Sequence, residues 1–284
     1  MDRRKLEENF FKLLMITSTL IVVGSLIAVL VVVLFKGLPA LNLSMLTQVP
    51  QGGFYSGKGG EGGILNAIVG SLYLVGGATP IAFTVGLPIA LYLNEYAAKS
   101  KLASFTRRSL DLLWSIPSII YGAFGFTIMI YLGMRASLLG GIVALALLEL
   151  PIMTRAIDEV VRLVPPKLKE ASYALGATKL ETTLKVVCRQ ALPGILMAVL
   201  LAFGRAMGDA ASILFTAGYT DNIPGSILDP VASLPLAIFF QLGTPFLAVQ
   251  QRAYASAAIL VLIVLAISVA SKLLSRKFMK YIIT

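Results

Sequence analysis

Two ionisable residues of opposite charge occur within one of the most apolar runs of the chain. Arg205 and Asp209 lie in residues 192–218, and a single helix through this run would place them one turn apart on the same face. Inserting an arginine there costs about 2.5–3.5 kcal/mol, so its side chain is expected to face protein or a water-filled path. Its guanidinium presents a planar fork of donors that matches the oxygens of phosphate or a carboxylate. Gly204 and Gly208 flank the pair and leave room for another backbone to approach.

Two explanations of the pair Arg205–Asp209 stay open. In the first, the two charges form an ion pair that neutralises itself and allows the segment to fold inside the membrane. In the second, Arg205 binds an oxyanion on its way through the protein, and Asp209 keeps the empty pathway from becoming a permanent anion trap. Glu149, beside Pro151 near the end of another apolar run, is a further pathway candidate. Its alternatives are a pairing with Arg155 or a position near the lipid headgroups.

The residue types of the chain argue against catalysis. There is no histidine, the commonest general base and metal ligand, and the single Cys188 excludes an internal disulfide and a cysteine-based metal site. Residues 52–59 read GGFYSGKG, which satisfies the GxxxxGK spacing of a phosphate-binding loop but has glycine where Ser or Thr would bind magnesium. We therefore expect no catalytic residue, metal or cofactor in this chain, and any ATP and Mg²⁺ to be bound by a partner.

The overall composition indicates an all-α integral membrane protein. Of the 284 residues, 57% are apolar and 13% charged, and the mean hydropathy is +0.87, which leaves too little polar surface for a soluble globule. A spanning helix requires about 20 mostly apolar residues. Six runs meet this condition: residues 13–35, 64–93, 110–132, 137–154, 192–218 and 255–274.

The basic residues predict how these six helices are oriented. Of the 24 Lys and Arg, 19 occur at the N-terminus, after the second and fourth runs and in the tail, whereas four lie on the opposite side and Arg205 lies within a run. Because Lys and Arg concentrate on the cytoplasmic side, both termini and the loop after the fourth run are expected in the cytoplasm. This asymmetry beside anionic lipid accounts for most of the net charge of +10, without any need for nucleic-acid binding.

Two loops are expected on the opposite side. The first, residues 36–63, is rich in glycine and is expected to be irregular. The second, residues 219–254, contains an apolar run at 233–243 that is too short to span a bilayer. We expect this run to form a re-entrant or interfacial helix that covers the external mouth of the protein.

The loop after the fourth run has the pattern of two short amphipathic helices. Residues 170–195 read EASYALGATKLETTLKVVCRQALPGI, with apolar residues at three- and four-residue spacing on both sides of Gly176. Glycine at this point is typical of a helix end. Helices this short cannot cross a bilayer, so they are expected to lie on its surface or to bind another protein.

This loop resembles the EAA loop of the membrane subunits of ABC importers, which seats in a cleft of the ATP-hydrolysing subunit. The likeness is carried by Glu170-Ala171, Gly176-Ala177 and residues 192–194, and it departs from the family at Ser172 and at Cys188-Arg189. The resemblance implies a type I permease fold with six transmembrane helices. It also implies that Glu170, Ala171, Gly176 and Ala177 couple the chain to an ATP-binding subunit dimer.

Four other segments make the resemblance more specific. They are GGILNAIVGS at 62–71, IPSIIYG at 116–122, GRAMGDAASILFTAG at 204–218 and SLPLAIF at 233–239. They are similar to the permeases of Pst-type phosphate importers, especially the A-type subunit, although the family has Glu where this chain has Asp209. The resemblance implies a complex with a C-type permease and an external phosphate-binding protein.

The expected function is that of a permease subunit, not an enzyme, for ATP-driven import of inorganic phosphate across a prokaryotic plasma membrane. A permease for another oxyanion, such as molybdate or sulfate, and a secondary transporter with an ion relay at Arg205 and Asp209 remain alternatives. The expected organisation is a first helix with its external loop (1–61), a transport core (62–275) that contains the coupling loop (156–191), and a cytoplasmic tail (276–284).

Overall fold

The structure is a computed structural model that describes residues 3–51 and 62–279. The glycine-rich run at 52–59 therefore lies outside the described residues. In chain order the α-helices are α1 (Arg3–Gly37), α2 (Leu43–Thr47), α3 (Leu65–Leu91), α4 (Lys101–Ser115), α5 (Ser118–Tyr131), α6 (Leu138–Arg162), α7 (Pro166–Ala174), α8 (Lys179–Glu181), α9 (Cys188–Met207), α10 (Leu234–Leu242) and α11 (Leu247–Met279). Two π-helical turns, Tyr92–Tyr96 and Thr182–Val187, extend α3 and join α8 to α9.

The long helices confirm an all-α membrane protein. Within the described residues, five helical segments are long and apolar enough to cross a bilayer: α1, α3, α6, α8 continued into α9, and α11. The pair α4 and α5 supplies a sixth crossing when the two are taken as one bent span. Five of the six expected crossings are therefore present as helices, and the bent pair α4 and α5 occupies the place of the remaining one.

The third crossing is broken, so the expectation of one helix over 110–132 is wrong. The axes of α4 and α5 meet at 96°. Pro117 lacks an N–H and disfavours helical geometry at the residue before it, and Ile116 is accordingly extended, with ψ at 130°. The apolar residues on both sides of this break hide it from a hydropathy count.

The fifth crossing ends earlier than expected, because α9 stops at Met207 and the chain continues without a helix to α10. The expectation of a span over 192–218 is therefore wrong. Part of this irregular segment is buried and binds the start of α6: the Ser137 N–H donates to the Thr216 carbonyl (2.9 Å), and the Leu138 N–H donates to the Asp229 carbonyl (2.7 Å). These bonds satisfy N–H groups that have no partner within the helix.

The short helix expected at 233–243 is confirmed as α10. Ser233 caps it, with its hydroxyl accepting a hydrogen bond from the Leu236 N–H. The Leu234 N–H donates to the Ser71 hydroxyl of α3 at 2.8 Å, in a buried position. Five of the nine residues of α10 are buried, so this helix is held within the protein between α3 and α11.

Helix α6 lies at the centre of the fold and packs against α3, α4, α5 and α9. It continues to Arg162, beyond the end expected at residue 154. The additional turns contain Asp158, which is buried and forms ion pairs with Arg155 and Arg162 on the same helix. Charged residues thus extend this helix because they are paired inside the protein, whereas the hydropathy pattern ends before them.

Close packing of α3 against the segment before α10 leads to a first prediction. A Cβ at Gly70 would collide with the Ala232 carbonyl oxygen and lie 2.6 Å from Val231 Cγ2, whereas a Cβ at Gly76 on the same helix has no atom within 4 Å. Gly70→Ala should lower the stability by about 1–3 kcal/mol through overpacking. Gly76→Ala should be neutral or stabilising, because alanine favours a helix over glycine. Thermal unfolding of the purified protein in detergent measures both, and equal melting temperatures would contradict this packing.

Candidate functional site

A cavity of about 670 Å³ opens beside the C-terminal part of α9. Its wall includes Trp114 from α4, Ile152 from α6 and Ser268 from α11. Arg205 and Asp209 both line it, so the two charged residues selected from the sequence face the same space. The arrangement offers one cation and one carboxylate in a largely apolar enclosure.

Arg205 and Asp209 form no ion pair within the residues that the structure describes, so the first of the two explanations is not supported. Arg205 lies exposed in the last turn of α9, and its side chain has no ion pair or hydrogen bond among the residues that the structure describes. Asp209 follows the end of the helix, and its carboxylate accepts a hydrogen bond from the Ser212 N–H at 2.8 Å. The prediction of a shared helix face is wrong, because α9 ends at Met207, between the two residues. No atom of the described chain lies within 4 Å of a Cβ at Gly204, so the expected close approach of a backbone is not made there.

One face of the C-terminal half of α9 is exposed. Met197, Leu201, Arg205 and Gly208 are exposed and follow one another at intervals of four, four and three residues. This spacing places them in one stripe on the helix. The stripe is continuous with the cavity, since all four residues line it. In a membrane, such a surface faces lipid or another protein chain.

Glu149 is buried at mid-helix rather than close to the membrane surface. Glu149 is 1% exposed. Its Oε1 accepts a hydrogen bond from the Thr79 hydroxyl of α3 at 3.2 Å. Its Oε2 has no hydrogen-bond partner among the described residues. The pairing with Arg155 is therefore not made, because Arg155 forms its ion pairs with Asp111, Asp158 and Glu159 instead. Glu149 is also not among the residues that line the large cavity.

A cluster of charges around Asp158 was not found from the sequence. Asp158 is 0% exposed, and its carboxylate binds Arg107 of α4 and Arg155 and Arg162 of α6 at 2.9–3.0 Å. The Asn94 amide donates to the same carboxylate at 2.8 Å. The spacing of Arg155, Asp158 and Arg162 at three and four residues is the signal that could have revealed part of this cluster. Three helical segments are joined by it: α4, α6 and the turn that follows α3.

The glycine of the coupling loop ends α7 in the manner expected. Gly176 has φ at +82°, a conformation that glycine adopts without strain. The Ala177 N–H donates to the Ser172 carbonyl (3.2 Å) and the Gly176 N–H to the Tyr173 carbonyl (2.9 Å). These two bonds form a Schellman motif, which satisfies carbonyls left free at the helix end.

The second half of the loop is not a separate amphipathic helix. Thr178 caps α8 through a capping box with Glu181, and from Lys179 the chain is helical without a break to Met207. The apolar residues at 180, 184 and 187 therefore belong to the first turns of the fifth crossing. The loop between α6 and α8 contains a single helix, α7.

The surface of α7 and its flanks is accessible in this chain. Glu170, Ala171 and Gly176 are exposed, and Ala177 is partly buried. Leu163 before α7 and Leu175 after it are 80% and 89% exposed. Exposed leucines on both sides of a short helix are typical of a surface that binds another protein.

Helix α7 is also tied to the membrane helices. Lys169 forms an ion pair with Glu95, in the π-helical turn after α3, at 2.5 Å. The Ser172 and Thr182 hydroxyls are 2.9 Å apart, which connects α7 to the start of the fifth crossing. The Lys179 ammonium lies 4.7 Å from the centre of the Tyr96 ring. These contacts therefore connect α7 and the start of α8 to the ends of two crossings.

Comparison with known proteins agrees with this architecture. Residues 82–280 match the model of one protein family. That family is described as "binding-protein-dependent transport system inner membrane component". The chain belongs to this family. Among curated members, the phosphate transport system permease protein PstA of Haemophilus influenzae is 36% identical over 245 residues, covering 86% of this chain and 85% of the relative. PstA of Mycobacterium leprae is 35% identical over 269 residues, covering 94% and 88%. The Pst-type resemblance is confirmed.

Solved structures of the same family type share the fold. The MetNI methionine ABC transporter in an inward-facing conformation has a TM-score of 0.63 at 23% identity, covering 76% of this chain and 95% of the other. A bacterial ABC transporter involved in import of the acidic polysaccharide alginate has a TM-score of 0.65 at 16% identity, covering 97% and 96%. At these identities the likeness concerns the fold, and it confirms the type I importer permease architecture.

The ion pair between Lys169 and Glu95 gives a second prediction. The Glu95 side chain is 3% exposed, so Lys169→Gln leaves a buried carboxylate without its cation, at a cost of about 3–5 kcal/mol. Hydrogen–deuterium exchange of residues 166–174 should become faster in this variant. Lys167→Gln is the matched control, because Lys167 is exposed on the same helix and has no ion pair within the described residues. The swapped pair Lys169→Glu with Glu95→Lys should restore slow exchange, and unchanged exchange in Lys169→Gln would remove this contact as an anchor of α7.

Proposed function

We propose that this chain is the membrane-spanning permease subunit of an ATP-driven importer of inorganic phosphate. The observation that carries the proposal is the Arg205 guanidinium, which has no partner among the described residues and lines an open cavity, in a chain that matches proteins named PstA over most of its length. A guanidinium free of protein partners has all its donors available for an oxyanion. The chain itself has no catalytic role in this proposal.

The substrate pathway is proposed to run past Arg205 and Asp209. The apolar wall around Arg205 strengthens its attraction for an anion, because fewer water molecules screen the charge. Asp209, held by the Ser212 N–H on the same cavity, limits that attraction so that phosphate is released again. Glu149 does not line this cavity. We propose that it binds a group that arrives when the helices move, because its Oε2 is buried and has no hydrogen-bond partner among the described residues.

A second permease chain is proposed to complete the pathway. The exposed stripe of α9 from Met197 to Gly208 includes Arg205 and is open on the side away from its own chain. A C-type permease packed against this stripe would enclose the cavity between the two subunits. This arrangement gives the apolar residues of the stripe a protein partner and keeps Arg205 in contact with the pathway.

Energy is proposed to enter through α7, which docks on an ATP-binding subunit dimer. Glu170, Ala171, Gly176 and Ala177 form the docking element, together with the exposed Leu175. ATP and Mg²⁺ bind to that partner, so this chain requires no cofactor. The contacts of α7 with the ends of α3 and of the fifth crossing convert its displacement into a movement of the pathway helices.

The membrane arrangement is proposed to place both termini and α7 in the cytoplasm of a prokaryotic cell. The basic residues at the corresponding helix ends support this orientation. An external phosphate-binding protein would then deliver substrate on the side that contains α10. The division into residues 1–61, the core 62–275 with its coupling loop 156–191, and the tail 276–284 is proposed with it.

Two alternatives are less favoured. A permease for molybdate or sulfate would use the same arginine, but the relatives reported above are named phosphate permeases. A secondary transporter would use Arg205 and Asp209 as a charge relay, but no ion pair joins them within the described residues. It would also leave the exposed docking surface of α7 without a purpose.

Substitution of Arg205 distinguishes these functions. Arg205→Gln should lower ATP-dependent phosphate uptake roughly ten-fold or more, because a hydrogen bond to a charged group contributes about 1.5–3 kcal/mol. Arg205→Lys should be intermediate, since lysine keeps the charge but not the planar fork. The measurement is uptake by vesicles that contain equal amounts of each assembled variant.

The double variant Arg205→Gln with Asp209→Asn is the control for a purely structural pair. It should fold and assemble but still transport poorly, because the oxyanion has lost its donor fork. Full uptake by this neutral variant would contradict a role of Arg205 and Asp209 in the substrate pathway. Uptake that follows an ion gradient and ignores ATP would instead favour the secondary transporter.

The proposed orientation can be tested with single cysteines in a Cys188→Ser background. Lys185 has a side chain that is 75% exposed, and Arg135 is exposed between α5 and α6. With the permease expressed without its ATPase, a membrane-impermeant maleimide should label Lys185→Cys only in inverted vesicles and Arg135→Cys only in intact cells. The reverse pattern would place α7 outside the cell and rule out its docking to a cytoplasmic ATPase.

A further inference from the structure

A second cavity of about 680 Å³ lies between α4, the turn after α3, and the last turns of α6. It shares no lining residue with the cavity at Arg205. Its charged lining is almost entirely basic, with Asp111 as the one carboxylate among the lining residues that the structure describes. The six cations are Lys99, Arg107, Arg108, Arg155, Arg162 and Lys169.

Four of these six cations already have carboxylate partners. Arg107, Arg155 and Arg162 bind Asp158, and Lys169 binds Glu95. These pairs fix the wall of the cavity and partly neutralise it. The exposed side chains of Lys99 and Arg108 have no ion pair or hydrogen bond within the described residues. The cavity therefore presents two cations without partners among the described residues, on a wall whose other cations are paired.

Helix α4 presents three different faces to its surroundings. Ala103 and Leu110 are buried against Leu93 and Ala97. Ser104, Arg107, Arg108 and Asp111 line the cavity. Leu102, Phe105 and Leu112 are exposed on the remaining face. An apolar face beside a basic face is the arrangement of a helix that lies at a membrane surface rich in anionic lipid.

We propose that this basic cavity binds the phosphate group of an anionic ligand, with Lys99 and Arg108 as its principal contacts. Arg108 supplies a planar fork for two phosphate oxygens, and Lys99 supplies a compact ammonium. Two sources offer this chemistry: the headgroup of an acidic phospholipid, whose acyl chains would lie along Leu102 and Phe105, and free inorganic phosphate. The site goes beyond the proposed transport function, because it lies apart from the Arg205 cavity and its occupancy does not require substrate to cross the membrane.

The test uses the assembled transporter, purified in detergent without an external binding protein. The probes are short-chain phosphatidylglycerol, short-chain phosphatidylcholine as the zwitterionic control, and radiolabelled inorganic phosphate. Native mass spectrometry measures the bound lipid, and equilibrium dialysis measures the bound phosphate. The variant is Lys99→Gln with Arg108→Gln, and the matched control is Arg135→Gln, which removes an exposed arginine outside the cavity. Arg205 is intact in all proteins, so any binding at that residue is common to them.

The expected result is binding of phosphatidylglycerol, phosphate or both that is weakened roughly ten-fold or more in the double variant and unchanged in Arg135→Gln. Weakening of the lipid alone identifies a phospholipid headgroup as the occupant, and weakening of phosphate alone identifies the free anion. Equal binding by wild type and variant in both arms would overturn the site. Equal retention of phosphatidylcholine and phosphatidylglycerol excludes the lipid headgroup, and it overturns the site when phosphate also binds equally to wild type and variant. Loss of the ATPase subunit from the variant would overturn it as well when wild type binds neither anion. This readout is independent of transport, so it can fail while phosphate uptake stands.

Discussion

Backbone groups that leave a helix inside a bilayer have no water to bind, so they must find partners in the protein. This constraint determines the fold between Met207 and α10. The irregular segment is partly buried, and its carbonyls accept hydrogen bonds from Ser137 and Leu138 at the start of α6. The segment that follows α9 thereby supplies hydrogen-bond acceptors for the first N–H groups of α6. Arg205 consequently lies in a last helical turn, where carbonyls without partners favour a positive charge, and it remains accessible from the cavity.

At the opposite end of the core, a buried charge cluster adds to the apolar packing. Asp158 collects three arginines and an asparagine from separate helical segments, and Lys169 adds α7 through Glu95. A buried carboxylate with several donors is costly to separate from them, so these segments are expected to move together. The proposed docking element is therefore attached to this charge cluster's end of the core through Lys169 and Glu95. In the proposed function, this connection would make the attached helices move together with α7.

Hydropathy and glycine positions predicted the large features of the fold. The six crossings, the helix at 233–243 and the helix end at Gly176 follow from residues whose local chemistry decides their conformation. The break at Ile116 and the end of α9 at Met207 were not predicted, because apolar residues continue past both points. At the site, the sequence identified Arg205 and Asp209 as neighbours of one cavity but wrongly gave them a shared helix face. Glu149 and the Asp158 cluster depended on contacts between α3, α4 and α6, and such contacts are not encoded in spacing along one segment.

The break before Pro117 also has a consequence for the lipid around the protein. Helix α5 has 14 residues and is therefore about 21 Å long, whereas the hydrocarbon core of a bilayer is about 30 Å thick. Since α4 turns away at 96°, it cannot supply the missing length along the same direction. A crossing made by α5 alone requires a thinner bilayer beside it, or a polar end of α4 drawn below the headgroup level. Hydrophobic mismatch is thus built into one side of the molecule, and it makes the stability of that side depend on membrane thickness.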